Sequence, residues 1–272
     1  MALNFYNLKI LVRGGGEMAS GIAHRLHRCH MRVLITEVPV PTTVRRPVAF
    51  ADAVYRGSHT VEGIQAVRVH SFTEVTGVWK NDGIALLVDP EAGVRDAMRP
   101  TVIVDAIMAK KNMGTDRSDA PIVVGVGPGF TAGVNVHAVV ESNRGHYLGR
   151  VLWQGQAEKN TGVPAPVAGY TDERVLRVPQ KGLFESSHKI GDLVEAGEVL
   201  ANVNGSPICA KINGVLRGLL KSGIEVEEGI KAGDIDPRGE REYCYLISDK
   251  ARAIAGGVLE AILSSLKNLS ST

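Results

Sequence analysis

One seven-residue pattern occurs twice near the C-terminus: Gly191-Asp192-Leu193-Val194-Glu195-Ala196-Gly197 and, 32 residues later, Gly223-Ile224-Glu225-Val226-Glu227-Glu228-Gly229. A repeat of this kind restricts the fold before any residue chemistry is considered, because each copy is one small unit that must pack on the other. Its glycines permit tight bends, its valines fill a small interior, and Asn213-Gly214 marks a further turn between the copies. Two such copies predict two interlocked β-hammerheads over residues 174–241.

The chain has 272 residues, enough for two domains that each bury a core. A net charge of +2, with the basic residues spread along the chain, gives no ground for a nucleic-acid or anionic-membrane partner. Three cysteines, Cys29, Cys209 and Cys244, form no close pair and fit a reducing compartment. Met1 to Lys9 lacks a basic region followed by an apolar stretch, and no apolar run approaches the roughly 20 residues of a membrane span. These features predict a soluble cytoplasmic protein.

Ahead of the repeat the pattern is different. Residues 8–12 are apolar and stop at Arg13-Gly14-Gly15-Gly16. Met18, Ile22, Leu26 and Cys29 then share one helical face, and 32–37 reads as a second strand. Strand-like runs at 61–69, 84–88, 101–105 and 122–124 alternate with helical stretches at 71–79 and 91–98, which predicts a parallel sheet covered on both faces. Val134 to Val140 alternates with period two and returns as His146 to Trp153, a predicted β-hairpin. Residues 154–173 read as a linker. Ile254, Val258, Ile262 and Leu266 mark a terminal helix entered at Ser248-Asp249, and Gly256-Gly257 weakens that helix unless close packing requires small residues there. The predicted organisation is a Rossmann-like α/β domain over 1–150, the β domain over 174–241, and a strand and helix over 242–272 that pack back.

Gly14-x-Gly16-x-x-Ala19 ends a strand and opens a helix, with Glu37 23 residues beyond Gly14. In the dinucleotide fingerprint such glycines let backbone N–H groups approach a pyrophosphate, and the acid holds ribose hydroxyls. Arg13 where an apolar residue is usual, and Glu17 in the first turn, equally suit a tight turn that binds no nucleotide. Ligands of open α/β sheets sit beyond the strands' carboxyl ends. Arg13, Gly14, Gly16, Glu37, Arg45, Arg46, Asp105, Lys110, Lys111, Gly127 and Gly129 are therefore the expected binding residues for an anionic small molecule. No catalytic residue and no metal ligand set is assigned. His137, Glu141 and His146 could meet on the hairpin as an acid/base or metal group, or simply pack; His24 and His27 read as a solvated basic face. Asp234 and Asp236 with Arg238 suit internal pairing that locks a turn.

The repeat resembles the biotinyl/lipoyl carrier fold, a barrel-sandwich hybrid. Its modifiable lysine is missing, since the hairpin tip reads Asn204-Gly205-Ser206-Pro207 and Lys211 follows the tip. That resemblance implies the fold without biotin or lipoyl attachment. Residues 11–26, Pro41 to Phe50, Val104 to Asn112, Gly127 to Gly133, Asn143-Arg144-Gly145-His146 and Gly233 to Arg238 together resemble the YqeB-type family, bacterial accessory proteins of selenium-dependent molybdenum hydroxylases. The resemblance implies a maturation role, handling a molybdopterin-type or nucleotide-like cofactor or delivering selenium, with hydroxylase subunits as partners. An NAD-dependent oxidoreductase using Glu37, and a non-catalytic module docking on a hydroxylase subunit, are the alternatives.

Overall fold

The computed structural model describes residues 8–269; the first seven residues of the segment expected to lack a signal sequence lie outside them. The chain divides into two compact units, one of residues 1–41, 49–160 and 247–272, the other of 42–48 and 161–246. The terminal helix thus belongs to the first unit, while 242–246, expected with that helix, belong to the second.

In the first unit the strands are β1 (Lys9–Arg13), β2 (Arg32–Glu37), β3 (Ser58–Val61), β4 (Ile64–Val69), β5 (Ile84–Val88), β6 (Val102–Asp105), β7 (Ile122–Val126), β8 (Thr131–Ala132), β9 (Ala138–Val140), β10 (Val151–Leu152) and β11 (Gly155–Gln156). The helices are α1 (Glu17–Arg28), α2 (Ala53–Arg56), α3 (Phe72–Lys80), α4 (Arg95–Met98) and α5 (Asp249–Leu269). Nine strands form one sheet in the order β10-β9-β7-β6-β1-β2-β5-β4-β3. Seven are parallel, and β3 and β10 close the edges antiparallel. The chain leaves β1 towards β2 and later returns on its other side at β6. A crevice belongs at the carboxyl ends of that pair.

The central parallel strands β1, β2, β5, β6 and β7 are largely buried on both faces, as their continuous apolar runs require. Leu11, Leu34, Ala85, Ile103, Val123 and Val139 share one core with Val75 of α3. On the other face α1 and α5 lie against each other so closely that a Cβ on Gly21 would sit 2.9 Å from Ala251 Cβ.

Three expected elements change length for local reasons. The run 61–69 is a hairpin, because Glu62 and Gly63 both take positive φ (43° and 83°) between β3 and β4. The helix expected from Glu91 begins only at Arg95, after Ala92 takes φ 52° and Asp89 accepts the Val94 N–H. The strand expected from Val134 begins at Ala138, because the Asn135 side chain accepts the Thr131 N–H and closes a turn. The hairpin with β10 survives as two residue pairs.

In the second unit, β12 (Val175–Arg177), β13 (Gly182–Glu185), β14 (Leu193–Val194), β15 (Val199–Val203), β16 (Ser206–Cys209), β17 (Gly214–Leu219), β18 (Ile224–Val226) and β19 (Lys231–Asp236) form two antiparallel sheets, β12-β19-β17-β14 and β16-β15-β13-β18. The repeat is visible in the backbone. Gly191, Gly197, Gly223 and Gly229 all take positive φ, between 80° and 100°. Each pair brackets one short strand, β14 in one sheet and β18 in the other, with Val194 and Val226 buried.

Candidate functional site

Arg13 and Asp105 stand in register at the carboxyl ends of β1 and β6, at the crevice. The Arg13 guanidinium does not face solvent there. It donates to the Thr115 hydroxyl and to the carbonyls of Met113 (3.2 Å) and Pro90 (3.4 Å), and lies 3.5 Å from Asp105 Oδ2. Thr115 in turn donates to Asp105 Oδ2 at 2.6 Å. Burial lifts the Asp105 carboxyl above its usual value, against the pull of Thr115, Arg13 and the Ile107 N–H. Among the described residues Arg13 Nε has no hydrogen-bond partner.

Residues 106–114 form a strap across this pair. Asn112 fixes its descending end by accepting the Thr115 N–H and donating to the Thr115 carbonyl. The backbone is strained, with Met108 and Lys110 both at φ 63°. Two expected ligand glycines serve the strap instead. A Cβ on Gly14 (φ 92°) would meet Ile107 Cα at 3.1 Å, and one on Gly129 (φ 110°) would meet Lys111 Cα at 2.7 Å. Gly127 (φ 77°) leaves room for the Ser142 hydroxyl. Lys110 and Lys111 ride on the strap's exposed side.

The rest of the glycine turn is also filled by the chain. Gly15 N–H donates to Glu37 Oε2 at 2.7 Å and the Val38 N–H to Oε1 at 2.8 Å, so both acceptor oxygens of the expected ribose-binding acid are engaged. Burial raises the Glu37 pKa while these two N–H groups lower it. Ala51 N–H donates to the Gly15 carbonyl, and Ser20 Oγ joins that carbonyl to the Phe50 N–H. Gly16 caps α1 with no side-chain hydrogen bond.

Arg45 and Arg46 fall outside the first unit. Both belong to the second unit, where Arg45 is 4% exposed and donates to the carbonyls of Tyr243 and Leu246, and Arg46 donates to that of Leu219. Carbonyl-satisfied arginines of this kind hold loops together. Of the expected cations, Arg45 and Arg46 thus belong to the second unit and Arg13 is buried under the strap.

The remaining candidates resolve towards packing. His137 Nδ1 accepts the Val123 N–H at 2.9 Å, Glu141 accepts the N–H groups of Asn143 and Glu158, and His146 is exposed beside Tyr147. The three do not meet. His24 approaches the Glu62 carbonyl and His27 lies 3.5 Å from Asp82, a carboxylate that sequence spacing did not reveal. Arg238 grips Asp236, and Arg174 and Lys231 hold Asp234. Among the described residues no group of three His, Cys, Asp or Glu could hold a metal ion, and no helix is long and apolar enough to cross a membrane. Sequence reasoning missed Met113, Thr115 and Ser20, and gave Asn112 no role of its own. The Asn112-x-x-Thr115 spacing, typical of a side chain closing its own turn, was the available signal.

No family model matches the chain. Among curated proteins it is similar to "Uncharacterized protein YqeB" of Escherichia coli (strain K12), 47% identical over 254 residues. These cover 93% of this chain and 47% of that protein, so the chain spans about half the length of the relative it matches. The likeness supports the YqeB-family resemblance. Solved structures that align include the ectoine utilization protein EutE (DoeB) from Ruegeria pomeroyi, product-bound, at 13% identity and TM-score 0.25, over 84% of this chain and 85% of that one. A succinylglutamate desuccinylase/aspartoacylase from Rhodobacter sphaeroides aligns at 15% and 0.26, over 84% and 86%. TcdA (CsdL) aligns at 11% and 0.35, over 97% and 88%. At such scores these likenesses carry no argument about activity.

Proposed function

We propose that this chain is a non-catalytic accessory protein in the maturation of selenium-dependent molybdenum hydroxylases, acting in the cytoplasm by docking on a hydroxylase subunit. The likeness to YqeB supports the family context. One observation favours docking over holding a cofactor: Arg13, the cation nearest the glycine turn, is 5% exposed and spent on Asp105, Thr115 and two carbonyls. We read the first unit as Rossmann-like and the second as a biotinyl/lipoyl-like barrel-sandwich hybrid without an attachment lysine. The two-sheet repeat supports this, as does a hairpin tip where Asn204 and Gly205 both take positive φ. Biolayer interferometry of the full chain against a purified apo-hydroxylase tests the proposal. Micromolar or tighter binding that does not change on adding cofactor is the expected result, and absence of binding refutes it.

A second reading, binding of a molybdopterin- or nucleotide-like anion, is favoured by the α1 N-terminus at Gly16, which lacks a side-chain cap, and by exposed Lys110 and Lys111. Titration with pyranopterin dinucleotide, using wild type and Gly16→Asp, decides it. Binding abolished by the aspartate would replace docking as the leading reading. The NAD-dependent alternative requires Glu37 to release both N–H partners. Stabilisation by NAD alone in a thermal-shift screen would revive it.

A further inference from the structure

The carboxyl rim of the first unit carries an apolar surface. Strand order β5-β2-β1-β6 sets the segments after β2 and β6 on either side of the glycine turn. Gly14 touches Ile107, Gly15 touches Glu37, and the Met113 carbonyl accepts from Arg13, so both segments border the glycine turn. On these two bordering segments Val38, Val40, Ile107 and Met113 are 41%, 49%, 36% and 44% exposed. Large apolar side chains gathered at one place are what a partner covers, and methionine adapts to the shape it meets.

Charge narrows the occupant. Lys110 and Lys111 are exposed on the strap at one side of this surface. Glu91 is exposed at the other, beyond β5, where the Pro90 carbonyl meets Arg13. Two cavities, of about 560 Å³ beside Arg95 and Asp119 and about 290 Å³ beside His27 and Asp82, open at the opposite, amino ends of the strands. The rim itself is a surface filled from beneath by Arg13 and the strap, which suits a chain laid across it.

We infer that Val38, Val40, Ile107 and Met113, flanked by Lys110 and Lys111, bind an extended segment of a partner protein whose apolar side chains are followed by acidic ones. The acidic end lies over the two lysines and is kept from the other end by Glu91, so the charges set direction and on-rate while the apolar contacts supply residence time. This inference rests on the docking reading above and names the surface that performs it.

The test uses the full chain as wild type, Ile107→Asp, Met113→Asp and Lys110→Glu/Lys111→Glu. These are exposed positions, so unchanged melting is required before binding is compared. Against purified apo-hydroxylase, each apolar variant is expected to weaken binding at least tenfold, and the charge reversal to remove its salt dependence. Affinities within twofold of wild type in all variants overturn the rim while leaving docking intact. If wild type itself fails to bind the hydroxylase, the docking reading falls, and fluorescein-labelled dodecapeptides judge the rim alone. Preference for a Leu/Glu peptide over a Leu/Lys peptide, lost in Ile107→Asp, supports it; equal binding or none overturns it.

Discussion

Arg13 Nη1 and Asp105 Oδ2 lie 3.5 Å apart on adjacent strand ends, with side chains 6% and 2% exposed. Taking both charges out of water is costly unless their remaining donors and acceptors are met. Thr115, Met113 and Pro90 meet most of them. The arrangement converts the open end of an α/β sheet, where a ligand would ordinarily sit, into an anchor for the strap.

Removing one charge of this pair should cost far more than removing both. Asp105→Ala leaves the guanidinium buried without a counter-charge and is expected to lose about 3–5 kcal/mol in urea unfolding. Arg13→Met with Asp105→Leu is expected to recover most of that loss. A double variant no more stable than Asp105→Ala would show that the pair is not the anchor.

The strap's dependence on Gly129 gives a second outcome. Alanine there must tolerate φ 110° and place Cβ 2.7 Å from the backbone of Lys111, so the strap has to lift. Trypsin should then cleave after Lys110 or Lys111 at least tenfold faster than in wild type. Gly205→Ala, at φ 84° with no atom within 4 Å of the new Cβ, should cost only about 1 kcal/mol and leave strap cleavage unchanged. Equal cleavage in both variants would disconnect Gly129 from the strap.

Much of this architecture could be read from local patterns. The β1–α1–β2 unit, the buried runs of β5, β6 and β7, and the glycine-bracketed repeat all followed from spacing, since burial on two faces or at a tight bend writes itself into neighbouring residues. Arg13 interrupted the glycine fingerprint in a way that matches its buried role. By contrast, nothing in the sequence around Arg45 and Arg46 tells that 42–48 join a unit built mostly from residues more than a hundred positions later. The partners of Arg13 were hidden for the same reason: Thr115 lies 102 positions away and was brought near by strand order, which residue periodicity does not encode.

His137 sets a pH dependence with a definite sign. Burial, and then the Arg117 charge, hold its pKa below 6.5, and its Nδ1 must stay unprotonated to accept the Val123 N–H. The unfolded chain takes up a proton near 6.5 while the folded chain does so only at lower pH. Stability is therefore lost as pH falls below 6.5. His24 and His27, also lowered chiefly by burial, act in the same direction. Urea midpoints should fall between pH 7 and pH 5.5, and the His137 ring should titrate below 6.5 by NMR. A midpoint at or above 6.5 would exclude the buried-acceptor role.

Two neighbouring glycines in α5 should respond to alanine with opposite signs. Gly257 packs where a Cβ would overlap the Gly149 carbonyl and come within 2.9 Å of Val140 Cγ1. Neither a backbone carbonyl nor a core valine on β9 can retreat cheaply, so Gly257→Ala is expected to lose about 1–3 kcal/mol or more by overpacking. Gly256 looks onto the end of the Arg25 side chain, 3.7 Å from where its Cβ would be, an ordinary contact with a mobile group. Gly256→Ala therefore gains helix propensity without a clash, about 0.5–1 kcal/mol more stable than wild type. Thermal and urea unfolding of the two variants side by side measures this. If both destabilise alike, Gly257 is not the residue that holds α5 against the Gly149 carbonyl.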